Sequence, residues 1–279
     1  MNAPSPERVQ ALLQLLSDPD ENIARTIHEE LVKLGPRVLP FLLTAQAERP
    51  TLTPLLTWVI EEIHFPQLRD TFRQGILQGS LDWEQGAFLI AQLRDPNLNV
   101  AHYRNLLDQL AEEFRAKWKL ESFSAEDTAQ HLAMFLFKDK GFSGNREHYY
   151  DPDNSFMHVV IDRRQGIPIT LSALYAFVAK RVGLPIVGVG LPGHFIVRIE
   201  GITPPAFLDA FNAGVRLSEQ DCRKFIEAAG MEFHPNYLHQ SPTPAILSRM
   251  LRNLLGVYEE IHQETMARRV MALLTSFDA

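Results

Sequence analysis

The chain has 279 residues, of which 46% are hydrophobic and 22% are charged, and its formal net charge is −7. These values are typical of an ordinary globular protein with one large or two modest domains, and they argue against broad electrostatic binding to nucleic acid. A single cysteine excludes an internal disulfide and a cysteine metal cluster. The first residues lack the features of a signal peptide, and no apolar run approaches the ~20 residues of a membrane-spanning helix. We therefore expect a cytoplasmic protein without a membrane segment or cofactor.

The first 82 residues are predicted to be helical. Apolar residues recur at helical spacing from Val9 to Leu16 and from Ile23 to Leu34, and Gly35-Pro36 ends the second helix. A further pair is predicted at 52–63 and 67–77. This order of helix, turn and helix resembles HEAT-type repeats, but without a clean internal period a plain helical bundle is an equally good interpretation.

Longer helices are predicted from Trp83 to Leu93 and from Val100 to Trp118. A capping-box pattern at Ser124 predicts a helix through Phe137. The segment 138–155 is rich in Gly, Asn, Asp and Tyr, and a structured loop of this length is uncommon unless it has a function.

The next predicted helix begins at Pro168, where a missing N–H has no cost, and ends before Gly183. Its apolar residues mark one face, formed by Leu171, Leu174, Tyr175, Val178 and Val182. Three strands of a small antiparallel sheet are predicted at 185–190, 194–200 and 206–211. A closing helical pair is predicted at 246–261 and 265–275. Because helix outweighs strand, the predicted fold class is α+β, mainly helical.

Four motifs in this part of the chain resemble a known family. They are Tyr149-Tyr150-Asp151-Pro152-Asp153-Asn154-Ser155, Gly166-Ile167-Pro168-Ile169-Thr170-Leu171-Ser172, Leu191-Pro192-Gly193-His194-Phe195 and Asn212-Ala213-Gly214. Their order and spacing are similar to the transglutaminase-like superfamily, and within it to the bacterial SirB type. The resemblance implies a transglutaminase-like core with preceding helices over 83–240 and a tetratricopeptide-like helical tail over 241–279, with 1–82 largely outside it.

The resemblance also assigns site residues. Active members carry a Gly-x-Cys motif at the start of the central helix, and a histidine and an aspartate on two strands. With Gly166 at the glycine, Pro168 occupies the cysteine position, and the histidine and aspartate correspond to His194 and Asp209. Proline cannot supply a thiolate nucleophile. The only cysteine, Cys222, follows both residues in the chain, in a polar segment that is predicted to be a surface helix.

His194 and Asp209 allow two interpretations. On neighbouring antiparallel strands their Cβ atoms would lie roughly 4.5–5.5 Å apart, so that the carboxylate holds one imidazole tautomer. The pair would then serve an amide or ester hydrolase or acyltransferase of altered mechanism, in which Thr170 and Ser172 are the nearest hydroxyl candidates. Without a thiol we favour a structural pair in a non-catalytic binding or scaffolding module, whose protein or peptide partner is unknown.

Four further residues are candidates for ligand binding: Tyr150, Asp151, Asn154 and Arg164. We expect them to rim the cleft over the start of the central helix and to hold a ligand or peptide through hydrogen bonds. The alternative for Asp151 is an Asx-turn that caps a helix. A calcium loop at this position is disfavoured because Phe156 stands where such loops need glycine, and the histidines show no metal spacing, so no metal site is expected.

Overall fold

The computed structural model describes residues 4–118 and 123–278, and the chain divides into two compact units, Met1–Phe72 and Arg73–Ala279. Its architecture is mainly helical with a small antiparallel sheet, which confirms the predicted α+β fold class. Among the described residues, no helix combines the length and the hydropathy that crossing a membrane requires.

The first unit is helical, as predicted. Its helices are α1 (Pro6–Leu15), α2 (Glu21–Leu34), α3 (Leu39–Glu48) and α4 (Thr53–Leu77), within which the unit boundary falls. The side chains of Ser5 and Asp20 cap the first two helices, and Gly35, with a φ of 66°, ends the second. The pair of helices predicted at 52–63 and 67–77 is wrong, because α4 continues through Pro66. A helix that includes a proline gives up one backbone hydrogen bond there without having to end.

The second unit contains the remaining helices. They are α5 (Trp83–Ala91), α6 (Val100–Lys117), α7 (Ala125–Ala133), α8 (Met157–Arg163), α9 (Pro168–Arg181), α10 (Glu219–Ala228), α11 (Thr243–Glu260) and α12 (Glu264–Leu274). The capping box at Ser124 is confirmed, since its hydroxyl accepts a hydrogen bond from the backbone N–H of Asp127 at 3.1 Å. The helix then continues as a π-helical segment, Met134–Asp139. The segment 138–155 also contains the short strand β1 (Ser143–Gly144), which pairs in parallel with β2 (Gln165–Gly166).

The main sheet consists of four antiparallel strands in chain order. They are β3 (Ile186–Leu191), β4 (His194–Ile199), β5 (Ala206–Asp209) and β6 (Val215–Leu217). The first three confirm the predicted strands. The sequence analysis missed β6 because a strand of three residues with only Leu217 buried is too short to show alternation.

Helix α9 lies at the centre of this unit. Every residue from Pro168 to Ala179 is buried, so the helix is buried on all sides and not only along the predicted apolar face. A helix that is apolar all round belongs in a protein core, and its polar side chains must then find internal partners. The hydroxyl of Thr170 donates to the carbonyl oxygen of Asn154 at 2.8 Å, and that of Ser172 donates to the carbonyl oxygen of Phe195 at 3.4 Å.

Gly214 provides a test of the turn that follows β5. Its φ is +72°, and an added Cβ would lie 2.4 Å from the Cβ of Ala133 in α7. We expect Gly214→Ala to lower the free energy of unfolding by about 2–4 kcal/mol, because left-handed strain and overpacking add. The measurement is the urea unfolding midpoint. Gly230→Ala is the matched control, since its φ is +75° and an added Cβ meets no atom within 4 Å. Equal losses of unfolding free energy in the two variants would show that the contact with Ala133 does not contribute to the effect of Gly214→Ala.

Candidate functional site

His194 begins strand β4 and Asp209 ends strand β5, and their side chains are in contact. Nε2 of His194 lies 2.8 Å from Oδ2 of Asp209. The strand register pairs Val197 with Leu208, so the two residues lie on the same face of the sheet as diagonal neighbours and not directly opposite each other. With Nε2 donating to the carboxylate, Nδ1 is the ring nitrogen left for other chemistry.

The carboxylate of Asp209 is only 1% exposed, and hydrogen bonds compensate its charge. Besides His194, it accepts from the backbone N–H of Asn212 at 3.1 Å and from Nδ2 of Asn212 at 2.7 Å. Burial raises the pKa of Asp209, but the hydrogen bonds from His194 and Asn212 outweigh burial and hold the pKa below its ordinary value of 3.8. Oδ1 of Asn212 in turn accepts from the guanidinium of Arg146. These four residues, Arg146, Asn212, Asp209 and His194, form a continuous polar network, whereas the sequence analysis identified only the last two.

Aromatic side chains surround the imidazole of His194. Phe225 of α10 stacks on the ring with centroids 4.9 Å apart and planes 14° apart, and Phe211 meets it edge-on at 6.4 Å. The His194 side chain is 11% exposed, and Nδ1 has no hydrogen-bond partner among the described residues. The hydroxyls of Thr170 and Ser172 are hydrogen-bonded to backbone atoms within the core and not to this ring. Among the described residues, the imidazole is therefore held by Asp209 and makes no hydrogen bond to either candidate hydroxyl.

Pro168 and Cys222 are both buried. Pro168 is the first residue of α9, where no N–H is needed. The prediction that Cys222 lies in a helix is confirmed by α10, but the expectation of a surface position is wrong, since the residue is 0% exposed. It packs with Ile226, one turn later on the same helix, against the apolar face of the sheet. Burial raises the pKa of the thiol to about 12, so thiolate is essentially absent at neutral pH.

The structure gives two of the predicted ligand-binding residues structural contacts. Asp151 accepts from the backbone N–H of Asp153 at 2.9 Å, which confirms the Asx-turn, and forms an ion pair with Arg163 at 3.1 Å. Asn154 is 3% exposed, and its Nδ2 donates to the carbonyl oxygen of His148 at 2.7 Å. These contacts position the 146–155 segment, and the Asn154 side chain is almost entirely buried among them.

The other two predicted residues are accessible but separated. Tyr150 is 62% exposed. Arg164 ends α8 with a φ of 56° and lines a cavity of about 290 Å³ together with Glu113 and Lys140. None of the other three predicted ligand residues lines that cavity. Arg164 thus lines a cavity to which Tyr150, Asp151 and Asn154 do not contribute, and the binding of a ligand by the four residues stays a prediction.

No group of three or more His, Cys, Asp or Glu side chains within 4–118 and 123–278 is arranged to hold a metal ion.

Residues 101–252 match the family model described as the transglutaminase-like superfamily, and the chain belongs to this superfamily. The UPF0162 protein of Xylella fastidiosa (strain 9a5c) is 33% identical over 195 residues, which cover 66% of this chain and 67% of the relative. The UPF0162 protein of Pseudomonas aeruginosa is 30% identical over 176 residues, covering 61% of this chain and 62% of the relative. Human F-box only protein 21 is 35% identical over 130 residues, which are 44% of this chain and 20% of that protein. The match thus spans under two thirds of the Pseudomonas relative. No solved structure is significantly similar.

The lowered pKa of Asp209 predicts a specific dependence of stability on pH. A carboxylate whose pKa is lower in the folded than in the unfolded chain stabilises the fold above the unfolded pKa, and this stabilisation is lost as the pH falls through the folded pKa. We expect Asp209→Asn to be less stable than wild type at pH 7 by about 1–3 kcal/mol. Its stability should also fall less than that of wild type between about pH 5 and pH 3.

The measurement is the free energy of unfolding by urea at each pH. Glu232→Gln, which removes an exposed carboxylate, is the control and should follow the wild-type curve. Parallel curves of unfolding free energy against pH for wild type and Asp209→Asn would contradict a lowered pKa of Asp209 in the folded protein.

Proposed function

We propose that the chain is a non-catalytic, SirB-type member of its superfamily that acts in the cytoplasm as a binding or scaffolding module for a protein or peptide partner. The observation that carries this proposal is Pro168, which stands at the cysteine position of the family motif and is buried as the first residue of α9. The only cysteine is itself buried, with a pKa raised to about 12. Thiol catalysis therefore has no nucleophile in this chain.

An aromatic surface beside the dyad supports a binding role. Tyr149 and Tyr150 are 37% and 62% exposed, and their rings meet at 5.4 Å. Phe211 lies 6.0 Å from Tyr149, and the guanidinium of Arg146 lies over the Phe211 ring at 5.0 Å. Tyrosine and arginine, together with tryptophan, are enriched at the energetic centres of protein interfaces. We name Arg146, Tyr149, Tyr150 and Phe211 the aromatic surface and propose that the partner binds there.

The domain organisation predicted from the sequence is part of the same proposal. The helices α11 and α12 pack against each other after a short connection at 261–263, as in a tetratricopeptide-like tail. The matched stretch makes up only 20% of human F-box only protein 21, which supports its use as one module among others. We propose a helical, HEAT-like region at 1–82, a core at 83–240 and the tail at 241–279.

A second function is favoured by the free Nδ1 of His194. With Asp209 fixing the other ring nitrogen at 2.8 Å, the imidazole has the orientation of a general base that activates water. The alternative is accordingly an amide or ester hydrolase, or an acyltransferase, of altered mechanism. In this mechanism the imidazole would remove a proton from water as its oxygen attacks the carbonyl carbon, and the imidazolium would return that proton to the leaving amine or alcohol as the C–N or C–O bond breaks. In acyl transfer an acceptor amine or alcohol would take the place of water.

Assays of hydrolysis and of acyl transfer distinguish the non-catalytic proposal from the enzymatic alternative. We expect wild type and His194→Ala to hydrolyse p-nitrophenyl acetate, and to transfer a glutamine peptide to an amine, at the same background rate, because no nucleophile is in place. The control is Glu232→Gln, an exposed substitution away from the dyad. An activity that falls by about 100-fold in both His194→Ala and Asp209→Asn would contradict the non-catalytic proposal and establish the alternative.

Binding at the aromatic surface is tested with a displayed peptide library selected on the folded wild-type chain. We expect the enriched peptides to lose affinity by about tenfold or more in Tyr150→Ala, since truncating an aromatic hot spot costs about 2 kcal/mol. Met231→Ala removes another exposed apolar side chain, 41% exposed, and should leave binding unchanged. Peptides that bind both variants equally would place the binding surface elsewhere.

A further inference from the structure

A second cavity lies beside the hairpin of β3 and β4. Its volume is about 370 Å³, and its lining includes the hairpin turn 190–193, Phe195 of β4, and Ile246, Arg249 and Arg252 of α11. This volume is within the range of small-molecule sites. None of the members of the polar network around Asp209 contributes a side chain to the lining.

Two arginines face this cavity without an acidic partner. Arg249 and Arg252 are three residues apart on α11, which places them on the same side of the helix. Neither forms an ion pair with any described residue, and no lining residue is acidic, although the whole chain carries a net charge of −7. Burial lowers the pKa of the Arg249 guanidinium from its ordinary value of 12.5, which reflects the cost of holding this charge without a counterion.

Most N–H groups of the Arg249 guanidinium make no hydrogen bond to the described residues. The guanidinium carries five N–H groups, and the one hydrogen bond that it makes to the described residues runs from Nη2 to the carbonyl oxygen of His194, at 2.8 Å. This bond holds the planar group in position. The remaining N–H groups form a fork that suits the paired oxygens of a carboxylate or phosphate.

Ser241 adds a hydroxyl next to this fork. Its Oγ accepts from the backbone N–H of Gly190 at 3.0 Å, and its own proton has no acceptor among the described residues. A Cβ at Gly190 would lie 3.1 Å from Nη1 of Arg249 and 3.2 Å from Oγ of Ser241. The glycine therefore leaves the two donors close together at the cavity wall.

The rest of the lining is largely apolar. Pro192, Tyr237 and Ala245 are the side chains of this part that remain accessible, whereas Phe195 and Ile246 are only 1% and 3% exposed. A ligand held by the arginines alone would leave the accessible apolar side chains in contact with water. Unpaired cationic donors next to an apolar wall match a molecule with a charged end and an apolar body.

We propose that this cavity binds a small organic anion. Arg249, Arg252 and Ser241 donate to its carboxylate or phosphate oxygens, and Pro192 and Tyr237 pack against its apolar part. The lining includes no residue of the aromatic surface, and the proposal does not depend on partner binding or on the absence of catalysis.

The test is isothermal titration of the full chain with benzoate and with phenyl phosphate. We expect at least one of the two to bind with a Kd of about 1 mM. Arg252→Gln should weaken binding by about tenfold, because a charge-assisted hydrogen bond is lost from an exposed side chain whose removal leaves the core intact. Arg249→Lys should weaken it as well, since an ammonium group keeps the charge but lacks the fork.

The control is Arg268→Gln, which removes an exposed arginine of α12 outside the cavity and should leave the Kd unchanged. Inorganic phosphate and benzyl alcohol each lack one of the two required parts and should bind at least about tenfold more weakly. The proposal is overturned if neither benzoate nor phenyl phosphate binds below about 10 mM, or if Arg252→Gln binds as tightly as wild type.

Discussion

The burial of helix α9 is the constraint on which the second unit depends. A helix that is buried from Pro168 to Ala179 needs neighbours on every side, and the sheet and the surrounding helices supply them. Each polar side chain in it must then be satisfied internally, as the Tyr175 hydroxyl is by the carbonyl oxygen of Ala129 at 2.7 Å. The same packing encloses Pro168 at the start of the helix. Burial of α9 thus accounts for the internal hydrogen bonds of its polar side chains.

The pair of His194 and Asp209 has a structural reason to exist whether or not it performs chemistry. A carboxylate that is 1% exposed is costly unless hydrogen bonds compensate its charge, and the removal of one partner leaves the others to bear that cost. His194 and Asn212 provide this compensation. The dyad geometry alone is therefore no sign of catalysis, which would also require a nucleophile within reach of Nδ1.

The sequence analysis succeeded where local signals determine the structure. The capping box at Ser124 and the glycine after α2 set helix ends through contacts within a few residues. The contact of His194 with Asp209 followed from placing both on neighbouring strands.

Properties that depend on tertiary packing were beyond local signals. Cys222 stands among polar residues in the sequence, and its burial depends on which face of α10 meets the sheet. The fold buries Asn154 to an exposure of 3%, and it places Arg164 at a cavity that the other predicted ligand residues do not line. Arg249 was not predicted as a site residue because a lone arginine on a helix is usually solvated. Only the fold shows that it lacks an acidic partner among the described residues.

Strand β4 places the dyad and the arginine cavity next to each other without merging them. Successive side chains of a strand point to opposite faces, so His194 meets α10 on one face while Phe195 lines the cavity on the other. The hydrogen bond from Nη2 of Arg249 to the His194 carbonyl oxygen joins the two sites through the backbone. Because other N–H groups of the same guanidinium stay available, an anion can bind without breaking this bond. Occupation of the cavity is therefore compatible with an unchanged dyad, and the two sites can be tested independently of each other.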